Sequence, residues 1–267
     1  MKIEVKTAVG RLRSFAAVSC VVVSATVFPS PSFAEEGDAK ALFKAMSDYV
    51  VAQKELSFSY DANLEIVTAD MMKVGFASSG TVALVRPDKI RVTRTGGFAD
   101  VDMAYDGKVL SVLGKKLNVF ASAEMQGSID DLIDTLRFEY GAEAPAADLL
   151  SSNPYEAMMS NVTSAMDLGS GVIRGQMCDH LAFRTAEVDW QIWIAQGDRP
   201  YPCRFEITSK LTALAPSYRI DVTDWKAEAG VAGSSFRIES GSAKVVKIDE
   251  FGGLDEVKPM LSDGAEQ

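Results

Sequence analysis

Hydrophobic and polar positions along the chain recur with two different periods. Between Asp38 and Gln53, apolar residues recur at helical spacing, which predicts an amphipathic helix that lies against another surface. Short apolar runs separated by turn residues such as Gly96-Gly97 and Asp106-Gly107 predict strands at 56–68, 73–86, 89–95, 100–106, 108–113 and 117–122. A second block of strands is predicted at 162–173, 176–184, 188–196, 203–210, 218–226 and 244–249. The region between the blocks, about 127–160, has helical spacing, and Ser128 with Asp131 and Asn153-Pro154 are typical of capped helix starts.

The order of these elements predicts the fold class. Strands grouped in long runs, with helices between them, favour an α+β fold built on an antiparallel sheet rather than on βαβ units. Long strands joined by short turns favour a large, strongly curved sheet. If such a sheet closes only partway, its concave face is apolar and must be plugged by helices or filled by a ligand.

The first residues have the features of an exported leader. A basic stretch ends at Arg13, an apolar run of about 14 residues follows, and Ser32-Phe33-Ala34 provides small residues for cleavage after Ala34. A transmembrane anchor is the alternative, but it needs about 20 apolar residues. A lipoprotein lipidated at Cys20 is a second alternative. We therefore expect a signal peptide at 1–34, a single domain at 35–252, a mobile polar tail at 253–267 and a periplasmic location.

Charge and composition exclude several classes of function. The 267 residues carry a formal net charge of −10, which argues against binding to nucleic acid. With one histidine, His180, the chain has no His-rich metal site, and no cofactor is expected. His180 is interpreted as structural rather than catalytic, and Asp130, Asp131 and Asp134 as acids at a helix start. We therefore expect a protein that is not an enzyme and that has no stable membrane span.

Two cysteines remain once the leader is removed. Cys178 and Cys203 form an even pair in an oxidising compartment, so a disulfide is the default expectation. A redox pair is the functional alternative, although the chain lacks the CxxC spacing typical of one.

Several motifs resemble known families. Gly80-x-Val82-x-Leu84-x-Arg86-Pro87-x-Lys89-x-Arg91, followed by Tyr105-Asp106-Gly107-Lys108, resembles the core strands of the periplasmic lipoprotein-carrier superfamily (LolA/LolB-like). A second set of segments looks closer to a bacterial family of predicted periplasmic proteins grouped with these carriers: Asn153-Pro154-Tyr155, 178–184, 189–194 and 197–200. The resemblance covers about 40–250.

The resemblance implies a function as well as a fold. It implies a half-barrel with a helical lid and an apolar groove that holds a lipid or the acyl chain of an acylated protein. Arg86 matches the carrier arginine that latches the lid. Candidate groove residues are Phe43, Met46, Leu132, Leu136, Trp190 and Ile192. The alternative is a cell-envelope interaction or stress-sensor module that binds a protein partner.

Overall fold

Two blocks of six strands form a single sheet. The computed structural model describes residues 36–97, 99–142, 144–228, 230–231 and 235–248. The first block is β1 (Glu55–Val67), β2 (Lys73–Val85), β3 (Lys89–Gly96), β4 (Asp100–Tyr105), β5 (Val109–Gly114) and β6 (Val119–Glu124). The second block is β7 (Ser164–Ile173), β8 (Gln176–Arg184), β9 (Val188–Ala195), β10 (Pro202–Ser209), β11 (Ser217–Ala227) and β12 (Lys244–Val246). These bounds confirm the predicted strands to within a few residues.

The pairing of β1 with β11 joins the two blocks of strands in one sheet. The strand order runs β12-β6-β5-β4-β3-β2-β1-β11-β10-β9-β8-β7, so the only non-consecutive neighbours within the described residues are β1 with β11 and β6 with β12. Every pair is antiparallel except β12 with β6, which is parallel. The sheet is open rather than closed, and it is the predicted half-barrel. The one departure from the predicted antiparallel sheet, the parallel β12, is a three-residue edge strand.

Three α-helices and one 3-10 helix accompany the sheet. They are α1 (Glu36–Ala52), α2 (Ile129–Phe138), the 3-10 helix (Ala147–Leu150) and α3 (Pro154–Met159). The predicted cap of α2 is confirmed, because the Ser128 hydroxyl accepts from the Asp131 backbone while the Asp131 carboxylate accepts from the Ser128 backbone. Asn153 caps α3, with Pro154 in its first turn. These local signals explain why the helices begin where they do.

The helices cover one face of the sheet, as predicted. The main core joins buried side chains of α1 and α2 to alternate residues of the strands. Within it, the Phe43 ring of α1 lies 5.2 Å from Trp190 and 5.6 Å from Phe183. Trp190 stacks on Phe183 at 4.0 Å. α1 thus fills the half of the concave face formed by the last strands with a close-packed aromatic cluster.

The described residues belong to one compact unit. None of their helices has the length and apolar character to cross a membrane. The predicted signal peptide, Cys20, the cleavage point and the polar tail lie outside the described residues, so they stay predictions, as do the domain bounds.

Candidate functional site

The half of the concave face that α1 does not fill contains a cavity. Its volume is about 260 Å³. The floor is made by side chains of six strands, mostly at alternate positions, including Phe58, Tyr60 and Leu64 of β1. Period-two alternation explains this arrangement, because residues i and i+2 of a strand point to the same face. The roof is formed by α2 and the segment that follows it.

We call α2, the 3-10 helix and the described residues between them the lid. From α2, the side chains of Ile129, Leu132, Ile133 and Leu136 line the cavity. They recur every three or four residues and form one helical face. From the 3-10 helix, Leu149 and Leu150 complete the roof.

The lining is apolar except at a few points. Tyr60, Arg94, Tyr218 and the indole of Trp225 provide its polar side-chain atoms. The Tyr60 hydroxyl donates to the Thr93 carbonyl at 2.8 Å, and burial raises the pKa of Tyr60, an effect that Tyr218 strengthens and Arg94 opposes. Trp225 stacks on Phe58 at 5.5 Å, and its Nε1 is buried without a partner among the described residues. The cavity therefore offers an apolar ligand few competing polar groups.

Arg86 connects the sheet to the lid. It follows β2, and its Nη1 donates to the carbonyls of Leu150 at 2.9 Å and Ser151 at 3.2 Å. Burial lowers the pKa of Arg86, and the nearby Asp130 partly offsets this effect. Its Nε and Nη2 are buried without a partner among the described residues. The guanidinium is thus held at the end of the 3-10 helix by two backbone acceptors only.

One side-chain contact joins the parts of the lid, and a second joins the lid to the residues that follow it. Arg137 of α2 forms an ion pair with Asp148 of the 3-10 helix, with both oxygens at 3.0 Å. Asp130 accepts from the Ser152 backbone at 2.9 Å and from its hydroxyl. Asp130 and Asp131 are therefore engaged in contacts within and beside the lid, in line with their interpretation as acids at a helix start.

The structure separates the six candidate groove residues into two groups. Leu132 and Leu136 line the cavity. Phe43 and Met46 of α1 and Trp190 and Ile192 of β9 are buried in the core between that helix and the sheet and are not among the lining residues. The lining also contains strand residues that are not among these six candidates: Val82, Val92, Met103, Ile220 and Val222. Their signal was the same alternation, which identifies two faces of a strand but not which of them is concave.

The cysteines and the histidine lie away from this cavity's lining. The Sγ atoms of Cys178 and Cys203 are 2.7 Å apart as buried free thiols, so the disulfide stays a prediction. In this reduced form, their contact lowers the pKa of Cys178 and raises that of Cys203. The His180 ring stacks on Trp193 at 4.1 Å and contacts Gln191 at 2.9 Å. No group of acidic, His and Cys side chains within the described residues is arranged to hold a metal ion.

A half-barrel sheet with a helical lid over an apolar cavity defines the structural class of this protein. The chain belongs to the DUF2092 family of predicted periplasmic proteins, whose model matches residues 39–249. This match confirms the family resemblance over the expected range, and the periplasm is the compartment of the protein. Among curated proteins, none matches the sequence significantly.

Several solved structures are similar to this chain. One is the Mycobacterium tuberculosis lipoprotein LppX, with 15% identity, a TM-score of 0.43, and coverage of 72% of this chain and 96% of that one. An uncharacterised conserved protein from Thermus thermophilus has 11% identity, a TM-score of 0.45, and coverage of 79% and 99%. A LolA superfamily protein from Nitrosomonas europaea has 12% identity, a TM-score of 0.34, and coverage of 71% and 93%. Similarities this distant do not assign a function.

Proposed function

We propose that the protein is a periplasmic binding protein that holds one acyl chain of a lipid, or of an acylated protein, in the cavity beneath the lid. The observation that carries this proposal is the cavity of about 260 Å³ with its nearly continuous apolar lining. An apolar cavity of about 150 Å³ stays dry and binds a molecule the size of benzene. A larger one is suited to a segment of hydrocarbon chain, and each buried methylene contributes about 0.8 kcal/mol.

Arg86 has the role of a lid latch in this proposal. Its two hydrogen bonds reach the carbonyls that end the 3-10 helix, so they hold the roof of the cavity against the sheet. The latch is weak, because two further guanidinium nitrogens lack partners among the described residues. When the lid opens, those nitrogens gain water, which offsets part of the cost of breaking the two bonds.

The experiment that tests the proposal is mass spectrometry of mature protein purified from the periplasm without detergent. We expect an organic extract to contain a lipid at about one molecule per protein. If the cargo is an acylated protein instead, the extract is empty and an acylated peptide is found after digestion of the purified complex. These two arms separate the two sources of the same acyl chemistry.

The outcome that contradicts the proposal is a protein with neither lipid nor acylated peptide that also fails to take up a fluorescent fatty acid in solution. In that case the alternative, an envelope interaction module, becomes the better hypothesis. Capture of a protein partner by cross-linking in intact cells is then the next measurement. Loss of bound lipid during purification is distinguished from an absent site by the uptake assay.

A further inference from the structure

Two turns lie side by side at one end of the sheet. One joins β1 to β2 and the other joins β10 to β11, and β1 pairs with β11 so that Leu64 is opposite Tyr218. The Glu65 carboxylate accepts from the Ser217 backbone at 2.9 Å and from its hydroxyl at 2.8 Å. The antiparallel register thus places both turns at the same edge of the half-barrel.

Four large apolar side chains project from these turns. Met71 is 54% exposed, Met72 55%, Leu211 75% and Leu214 50%. We call these four residues the apolar rim. Exposed apolar side chains that cluster at one place mark a surface for a partner more often than scattered ones do.

The backbone gives a second reason to regard the apolar rim as functional. Met71 has φ 66° and Leu214 has φ 60°, in the left-handed region that disfavours side chains of this kind. Glycine or asparagine would satisfy both turns with less strain. Strain retained together with an exposed apolar side chain is typical of positions chosen for function rather than stability.

Charge indicates what kind of partner fits. The two turns with the strand ends beside them, 65–73 and 209–217, carry Lys73 and Lys210 against Glu65 and Asp70, whereas the whole chain has a formal net charge of −10. The two turns and the strand ends beside them therefore carry no formal net charge, whereas the protein as a whole is acidic. A neutral, protruding group of Met and Leu side chains suits insertion among the headgroups of a zwitterionic bilayer.

The cavity lies directly behind these turns. Leu64 and Tyr218 line the cavity and are only a few residues from the two turns. We propose that the apolar rim docks the protein on the surface of a zwitterionic phospholipid bilayer, with this end of the cavity turned towards the membrane. Docking on a membrane goes beyond the proposed function and does not depend on it. Only the route of a lipid from the membrane to the cavity rests on the proposed function.

The test is flotation of the full mature protein with vesicles of phosphatidylethanolamine and phosphatidylcholine. The four-site variant M71N/M72Q/L211Q/L214N replaces the rim with polar residues, using asparagine at both left-handed positions. We expect it to bind vesicles at least about tenfold more weakly than the natural chain. The thermal unfolding midpoint of this variant should be unchanged or higher, because asparagine relieves backbone strain at two positions.

A matched control changes exposed apolar residues at the opposite end of the sheet. Val172 is 60% exposed and Met177 45%, and they flank the turn between β7 and β8. The variant V172Q/M177Q removes exposed apolar side chains of the same kind, two rather than four, and we expect its vesicle binding to stay within about twofold of the natural chain.

Three results would overturn the proposal. The first is that the natural chain does not float with the vesicles, and the second is that the four-site variant floats equally well. The third is a dimer of the natural chain that the four-site variant loses, because the rim would then cover a second copy. Uptake of a fluorescent fatty acid from solution distinguishes these failures from failure of the proposed function, since the four substitutions leave the cavity lining intact.

Discussion

The absence of a side chain at Gly80 makes room for the Tyr60 ring in the floor of the cavity. Tyr60, Gly80 and Arg94 lie in one row across β1, β2 and β3. A Cβ at Gly80 would meet the Thr93 carbonyl oxygen and lie 2.6 Å from the Tyr60 hydroxyl. Glycine is therefore needed at this position because the Tyr60 ring and the β3 backbone approach it closely, not because of its backbone conformation.

We expect Gly80→Ala to lower the free energy of unfolding by about 2–3 kcal/mol, because the Tyr60 ring and the β3 backbone must both move. Gly75→Ala is the matched control on the same strand, since its Cβ would meet only the flexible Asn63 side chain at 2.9 Å. Urea unfolding of both variants checks the prediction. Equal costs at the two positions would show that close packing around Gly80 is unimportant.

Arg86 allows a test of the latch at a single residue. In Arg86→Leu the two bonds to the lid carbonyls are lost, and we expect a fluorescent fatty acid to be released roughly tenfold faster. Stability should change by less than about 1 kcal/mol, because leucine also removes two buried nitrogens without partners.

Stopped-flow displacement measures that release rate. Arg184→Leu is the control, since it removes an arginine whose partner, Asp189, lies on the strands outside the lid. A release rate that Arg86→Leu leaves unchanged would discard the latch and leave Arg86 as a structural residue.

At the scale of single elements, the cap at the start of α2 contains a titratable group, the Asp131 carboxyl. Hydrogen bonds from the Ser128 backbone and hydroxyl lower the pKa of the Asp131 carboxyl below its ordinary value of 3.8. The folded-state pKa of this carboxyl lies below its unfolded-state pKa. The carboxylate's contribution to stability is therefore complete above the unfolded-state pKa and is lost as the pH falls through the folded-state pKa.

We therefore expect the amides of the first turn of α2 to exchange faster, relative to unprotected amides, as the pH falls from about 5 to about 3. In Asp131→Asn this change should be smaller, since the capping group no longer titrates. Hydrogen exchange read by mass spectrometry measures both. The same acid-induced change in the two proteins would assign it to another group.

The cysteine pair joins two strands that are not neighbours. Cys178 is in β8, whereas Cys203 is the extra residue of a bulge in β10, and β9 lies between them. In protein isolated from the periplasm we expect both to be oxidised, because disulfides persist in that compartment. The disulfide would close the loop 178–203, and closing a loop of that length stabilises a protein by about 3.5 kcal/mol.

Thiol labelling of unfolded, non-reduced protein checks the disulfide, and the expected result is no labelled cysteine. Reduction should then lower the unfolding midpoint of the natural chain but leave that of C178S/C203S unchanged. Two labelled thiols in the non-reduced protein would refute the bond and favour the reduced pair.

At the scale of the whole molecule, the cavity exists because two helical coverings share one curved sheet. α1 plugs one half of the concave face, and the lid covers the other half without filling it. We expect Val92→Trp, which adds bulk to the cavity floor, to reduce bound lipid at least about threefold. The exposed Val172→Trp in β7 should leave bound lipid unchanged.

Lipid per protein in the organic extract measures this effect, with circular dichroism to verify that both variants fold. Equal lipid content in the two variants would place the ligand outside the cavity. This outcome is independent of vesicle docking, because neither substitution touches the apolar rim.

Local signals in the sequence determined the elements of this protein. Period-two alternation, Asp-Gly and Gly-Gly turns and the Ser128–Asp131 cap predicted the strands and the helix start, because each depends on residues close together in the chain. The grouping of strands and helices predicted a curved antiparallel sheet with helices on one face, and the family resemblance predicted the half-barrel. The family resemblance predicted Arg86 as a contact with the lid, although its role in latching stays to be tested.

Only the tertiary structure decided which residues surround the cavity. Leu132 and Leu136 were predicted on the basis of their helical face, but Phe43, Met46, Trp190 and Ile192 pack into the plug formed by α1. The same alternation and hydrophobicity occur in plug and cavity, so the two cannot be distinguished locally. What separates them is where α1 and the lid lie on the sheet, and that depends on contacts between residues far apart in the sequence, including the pairing of β1 with β11.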